Sequence, residues 1–116
     1  QDYPAYDAAC FLAGFAVRNT MPNLSAERYF TALNVTLKLL SEGKISGDAA
    51  IACCNVLFLY EAGQLDYENA SPRDIAQQEI MVNAALGGEY PDLKPEVWSK
   101  LRDWSMALLE HGEFQL

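Results

Sequence analysis

The residues best equipped for chemistry are few and scattered. His111 is the single histidine, cysteines stand at 10, 53 and 54, and an oxygen-rich stretch runs Asp66-Tyr67-Glu68-Asn69-Ala70-Ser71-Pro72-Arg73-Asp74. One histidine cannot build a His-rich metal site, and a position in the last turn of a predicted helix suits a cation at the negative helix end. No local motif supports His111 as a base beside Cys54 or Ser105, so a structural role is expected. Cys53-Cys54 lacks a chelating spacing, and Gly87-Gly88 falls between predicted helices, with no surrounding phosphate-loop pattern.

The oxygen-rich stretch fails as a calcium loop. With Asp66 at position one, Ala70 falls where a ligand is required, Ser71 replaces the turn glycine and Gln77 replaces the closing glutamate. No repeated ExxE arrangement occurs of the kind that metal-dependent helical enzymes use. The expectation is therefore no cofactor, no bound metal, no catalytic residue and no enzymatic activity. Glu61, Asp66, Glu68 and Asp74 read instead as an acidic edge, solvated or recognised by a basic partner.

Sixteen acidic residues against eight basic ones give a net charge of −8, which repels phosphate backbones and counts against nucleic-acid binding. The carboxylates are scattered along the chain, without the regular one-face spacing that mimicry of nucleic acid requires. Hydrophobic residues make up 51% of the chain, yet the apolar runs are too short to span a bilayer, so no membrane association is expected. The cysteine count is odd, and the adjacent pair cannot easily bridge itself. All three thiols are expected to be reduced, buried and inert, which favours a cytoplasmic setting; the alternative is a link from Cys10 to one of the pair. The chain starts at Gln1 without methionine, and a secreted or periplasmic setting follows if a signal peptide was removed. Three glycosylation patterns begin at Asn23, Asn34 and Asn69, but Ser25 and Ser71 already serve as helix N-caps and Asn34 falls inside a helix.

The elements that must position these residues are helices. Three cassettes, Leu40-Ser41-Glu42-Gly43-Lys44-Ile45, Tyr60-Glu61-Ala62-Gly63-Gln64-Leu65 and Leu109-Glu110-His111-Gly112-Glu113-Phe114, each set a glycine after an apolar-periodic run and an apolar residue two positions later. Glycine can take the left-handed conformation that closes a helix, and the later apolar residue can fold back on the last turn. Together with Pro4, Ser25, Ser46, Ser71-Pro72 and Pro95 as start signals, these stops predict five helices, about 4–18, 26–41, 47–62, 72–87 and 95–111. The fold class is all-α, a compact single-domain bundle covering residues 1–116.

The helices differ in their faces. The first has one apolar side of Ala8, Phe11, Leu12 and Phe15 and another of Tyr6, Cys10, Ala13 and Val17, so it is either buried nearly all round or touches a partner. The second carries a stripe of Tyr29, Phe30, Leu33, Leu37 and Leu40. The third is apolar on every side except at Asn55, which places it at the bundle centre with Asn55 hydrogen-bonded, since an unpaired buried amide costs about 1–3 kcal/mol. The fourth has no single clean stripe, because Ile80, Met81 and Ala84 fall off the line of Ile75, Val82 and Leu86. The fifth shows a clear one of Val97, Leu101, Trp104 and Leu108, flanked by Trp98 and Leu109.

These observations favour a small acidic protein-binding module, of inhibitor, immunity or adaptor type, acting by surface recognition of a protein partner that is basic for preference. The expected contact residues are Phe11 and Phe15 on the first helix and Glu61, Asp66, Glu68 and Asp74 on the acidic edge. Two alternatives stand beside it. One is an obligate homo-oligomeric structural subunit, a homodimer in its simplest form, paired through the first helix. The other is a bundle that binds a small molecule in a pocket lined by Asn55, Tyr60, Trp98 and Trp104.

Overall fold

Five helices form where the start and stop signals set them: α1 Ala5–Arg18, α2 Glu27–Ser41, α3 Gly47–Glu61, α4 Pro72–Gly87 and α5 Pro95–His111. The computed structural model describes residues 4–19, 27–65, 70–112, 114 and 116. Two serines cap as expected: Ala49 N donates to Ser46 Oγ and Asp74 N donates to Ser71 Oγ, each at 3.1 Å. Each bond satisfies an amide that the first helical turn leaves without a partner. Pro72 and Pro95 occupy first-turn positions, where a missing N–H costs nothing. The expected cap at Ser25 lies outside the described residues.

The first two glycine cassettes close their helices as read. Gly43 and Gly63 both have φ of 70°, while Lys44 N donates to Leu39 O at 3.0 Å and Gln64 N donates to Leu59 O at 2.9 Å. Those bonds satisfy carbonyls of the last turn, and Ile45 and Leu65 pack back against the core. The third cassette also ends its helix and returns its apolar residue, Phe114 N donating to Leu109 O at 3.2 Å, but it differs in the glycine. Gly112 has φ of −80°, so it is not a left-handed stop; a Cβ there would stand 2.6 Å from the Phe114 ring. Glycine at 112 serves the close approach of an aromatic ring.

Helix α3 is the axis of the bundle, and every residue from Gly47 to Leu59 is buried. All four other helices pack on it; α2 also meets α1 and α4, whereas α4 and α5 do not pack on each other. An aromatic cluster joins α1, α2, α3 and the segment after α5. The Phe58 ring meets Phe15 at 4.8 Å, Phe114 at 5.2 Å and Tyr29 at 5.3 Å between centroids, all edge to face. This geometry sets the positive edge of one ring against the negative face of the next. The radius of gyration, 13.0 Å, matches the roughly 13 Å expected of a compact single domain of this length. No helix among the described residues is long and apolar enough to cross a membrane.

Polar side chains lock α5 against α3. Arg102 Nη1 donates to Asp48 Oδ1 at 2.6 Å, Asn55 Nδ2 donates to Ser105 Oγ at 3.1 Å, and Ser105 Oγ donates to Arg102 O at 2.8 Å. Asn55 thus has a partner for its Nδ2, while its buried Oδ1 has none. Because Arg102 and Ser105 lie one turn apart, these bonds fix which side of α5 faces inward. Trp98, Ser105 and Leu109 are its buried residues, while Val97 is exposed and Leu101, Trp104 and Leu108 are only partly covered. The stripe read from the sequence is therefore rotated toward a flank. Its place on the core side is taken by a line containing one serine and one arginine.

Candidate functional site

The rotation of α5 produces two clefts along one of its flanks. Near its start, Val97, Trp98 and Leu101 face Arg73, Gln77, Ile80 and Met81 of α4, with Pro91 and Leu93 completing an apolar cleft of about 410 Å³. Near its end, Trp104, Leu108 and His111 face Asp74 and Gln78, with Leu59, Gln64 and Leu65 completing a more polar cleft of about 350 Å³. From Val97 to His111 the shared wall runs about 21 Å, at 1.5 Å per helical residue. Ile80 is 56% exposed and Val97 40%, so the apolar cleft has open apolar rims. It lies where α4 and α5 both pack on α3 while their own backbones stay apart.

The polar end holds one unsatisfied group. Gln78 is buried, and its Oε1 has no hydrogen-bond partner. A buried acceptor without a donor costs on the order of 1–3 kcal/mol. Asp74 lines the same cleft and adds a second acceptor.

The expected contact residues are dispersed. Phe15 is fully buried within the aromatic cluster, which corrects its reading as a contact residue: its side chain is core, because α1 turns Ala8, Leu12, Phe15 and Ala16 inward. Phe11 is half-buried and stacks on Phe15 with centroids 6.0 Å apart. Glu61 is engaged within the chain, accepting from Arg28 Nε at 2.7 Å and holding the arginine pKa above its usual value. Asp74 reaches the polar cleft, and Asp66 and Glu68 lie outside the described residues. The second apolar side of α1 is not buried either. Tyr6, Cys10, Ala13 and Val17 are all exposed, so the helix is covered on one side only.

The small-molecule pocket read from the sequence does not assemble. Tyr60 lines a cleft with Glu79, Val82 and Asn83; Trp98 and Trp104 line the two different clefts along α5; Asn55 is buried against Ser105. The residues missed by sequence reasoning are Ile80, Leu93, Gln78 and the apolar cleft as a whole. A signal for Ile80 was present, since it falls off the line of Ile75, Val82 and Leu86.

The thiols divide into two kinds. Cys53 and Cys54 are free and buried, whereas Cys10 is free and exposed, which corrects the reading of all three as buried. Burial pushes the Cys54 thiol up to about 11, opposed by hydrogen bonds from Thr36 and Tyr90, and pushes Cys53 well above its ordinary value. Neither is a thiolate at neutral pH, and a thiol held neutral is a poor nucleophile. His111 is exposed at the end of α5, while Cys54 and Ser105 are buried, so the histidine is not placed to act as a base for either. Among the described residues no group of three or more His, Cys, Asp or Glu side chains could hold a metal ion.

Comparison with family models, with curated proteins and with solved structures finds no match to this chain. Its functional reading rests on the geometry alone.

Proposed function

We propose that this chain is a small acidic protein-binding module, of inhibitor, immunity or adaptor type, that recognises its partner along the α4–α5 flank. The observation that carries the reading is the placement of Val97, Leu101, Trp104 and Leu108. A continuous apolar stripe, of the kind a helix ordinarily buries in its own core, lines two open clefts. The matching occupant is one amphipathic helix of a partner, with apolar residues spaced to lie along the stripe and a lysine or arginine near one end. The cation is specified by Asp74 and by the Gln78 acceptor, and the net charge of −8 favours a basic partner at long range.

The test is affinity capture at low salt, comparing the wild-type chain with an Ile80→Glu, Val97→Glu double variant. Both positions are exposed, so the variant retains its fold. A partner retained by wild type, released by added salt and lost by the double variant is the expected result. Equal retention by both proteins, or no specific capture by wild type, overturns the reading.

A second reading, a small-molecule site in the polar cleft, is favoured by the unpartnered Gln78 Oε1 beside Asp74, Trp104 and His111. Its ligand would be a donor-rich organic cation. A Gln78→Leu variant separates the two: it abolishes binding of a small cation, whereas a helical partner anchored on Ile80 and Val97 is weakened only in part.

A further inference from the structure

Helix α1 carries a second apolar face that the bundle does not use. Tyr6, Cys10, Ala13 and Val17 follow one another at intervals of four, three and four residues, the spacing of a two-helix seam. At 100° per residue they fall within a wedge of about 60°, on the far side of the helix from Ala8, Leu12, Phe15 and Ala16. All four are exposed, and the two large ones strongly so, Tyr6 at 78% and Val17 at 80%.

We propose that this seam pairs antiparallel with α1 of a second copy of the chain, across a twofold axis. The sequence of the seam is self-complementary in that orientation. Tyr6 lies level with Val17 of the mate, and Cys10 level with Ala13 of the mate, so a large residue sits at each end and small residues meet in the middle. Small residues at the centre let two helix backbones approach to about 8 Å. The core face of each α1 points away from the seam, so the two bundles extend in opposite directions.

Charge selects the second copy and its direction. Asp7 and Arg18 are the only charged residues of α1, so copies of a chain with net charge −8 meet over a neutral helix. The Arg18 guanidinium folds back over Gly14, where a Cβ would stand 2.7 Å from Arg18 Nη1. Asp7 and this guanidinium lie on the same flank of the seam. A twofold axis perpendicular to two antiparallel helices sets like flanks side by side, and brings Arg18 of one copy within about 3 Å, along the helix axis, of Asp7 of the other. A parallel pair sets opposite flanks together and leaves these charges apart. The seam is about three turns long, so the pair belongs with weak, reversible associations. It uses no residue of the α4–α5 clefts and stands independently of the binding function proposed for them.

The test is sedimentation equilibrium of the full chain from about 10 μM to about 1 mM, the range in which weak pairs form. The expected mass rises from 12.9 kDa toward twice that value as concentration increases. Val17→Glu should weaken association at least about tenfold with an unchanged circular dichroism spectrum. Asp7→Arg should weaken it as well, and Asp7→Arg combined with Arg18→Asp should restore it. A short bis-maleimide should link two chains through Cys10, the one exposed thiol. A mass of 12.9 kDa at every concentration overturns the proposal, as does a dimer indifferent to Val17→Glu. A dimer not rescued by the double charge exchange overturns the antiparallel arrangement.

Discussion

Arg102 Nη1 donates to Asp48 Oδ1 at 2.6 Å, joining the middle of α5 to the first turn of α3 through a carboxylate that is fully buried. The arginine side chain is 16% exposed, so it brings charge to Asp48 while keeping part of its guanidinium in water. The pair is consistent with the rotation of α5 that buries Trp98 and Leu109 and leaves the Val97–Leu108 stripe toward the flank.

Removing one partner should therefore cost far more than removing both. Arg102→Met leaves a charged carboxylate in the interior and should destabilise the chain by about 3 kcal/mol, whereas Asp48→Leu combined with Arg102→Met should recover most of that loss. Urea unfolding of the two variants and wild type checks the order. A double variant less stable than the single one would mean that the pair stabilises the fold on its own account.

Phe15 and Phe11 are neighbours in the same helix with unequal expected costs. Phe15 is fully buried and contacts Phe58 edge to face, so Phe15→Ala should lose about 3–5 kcal/mol and threaten folding. Phe11 is only partly covered, and Phe11→Ala should lose less than half as much. Thermal unfolding distinguishes them, and Phe15→Leu, which keeps most of the volume, supplies a folded variant for the comparison.

Alkaline pH should weaken the fold from the inside. The Cys54 thiol has its pKa raised from 9.0 to about 11 by burial, so the folded chain holds a proton that the unfolded chain releases. That contribution is complete below pH 9.0 and is lost as pH rises toward 11. Burial raises Cys53, Tyr29 and Tyr90 in the same direction, so all four groups act with one sign. The urea midpoint should fall across this interval, and less steeply in Cys54→Ala. At neutral pH a thiol reagent should modify Cys10 rapidly and reach Cys53 and Cys54 only on unfolding.

Much of the architecture was legible in the chain because it rests on local chemistry. Serine caps, first-turn prolines and the glycines at 43 and 63 act within a few residues of themselves, and all five helices formed within a residue or two of the positions read. The central place of α3 was equally readable, since a helix apolar on every side has nowhere else to go. At Gly112 the stop and the return of Phe114 were legible too, but not the φ of −80°, because the pattern of the cassette does not encode how closely a ring will pack on the glycine.

The sequence by itself determined the helices, the acidity and the two apolar sides of α1; only the tertiary structure decided which sides are covered. Periodicity assigns apolar residues to a face, but the rotation of a helix against its neighbours is a sum over long-range contacts. In α5 the side that carries Arg102 on Asp48 and Ser105 on Asn55, with Trp98 and Leu109, faces inward, and the stripe is only partly covered beside it. In α1 the inward turn of Phe15 leaves Tyr6 and Val17 outside. Both surfaces follow from one physical fact: a single central helix can cover only one side of each helix packed against it.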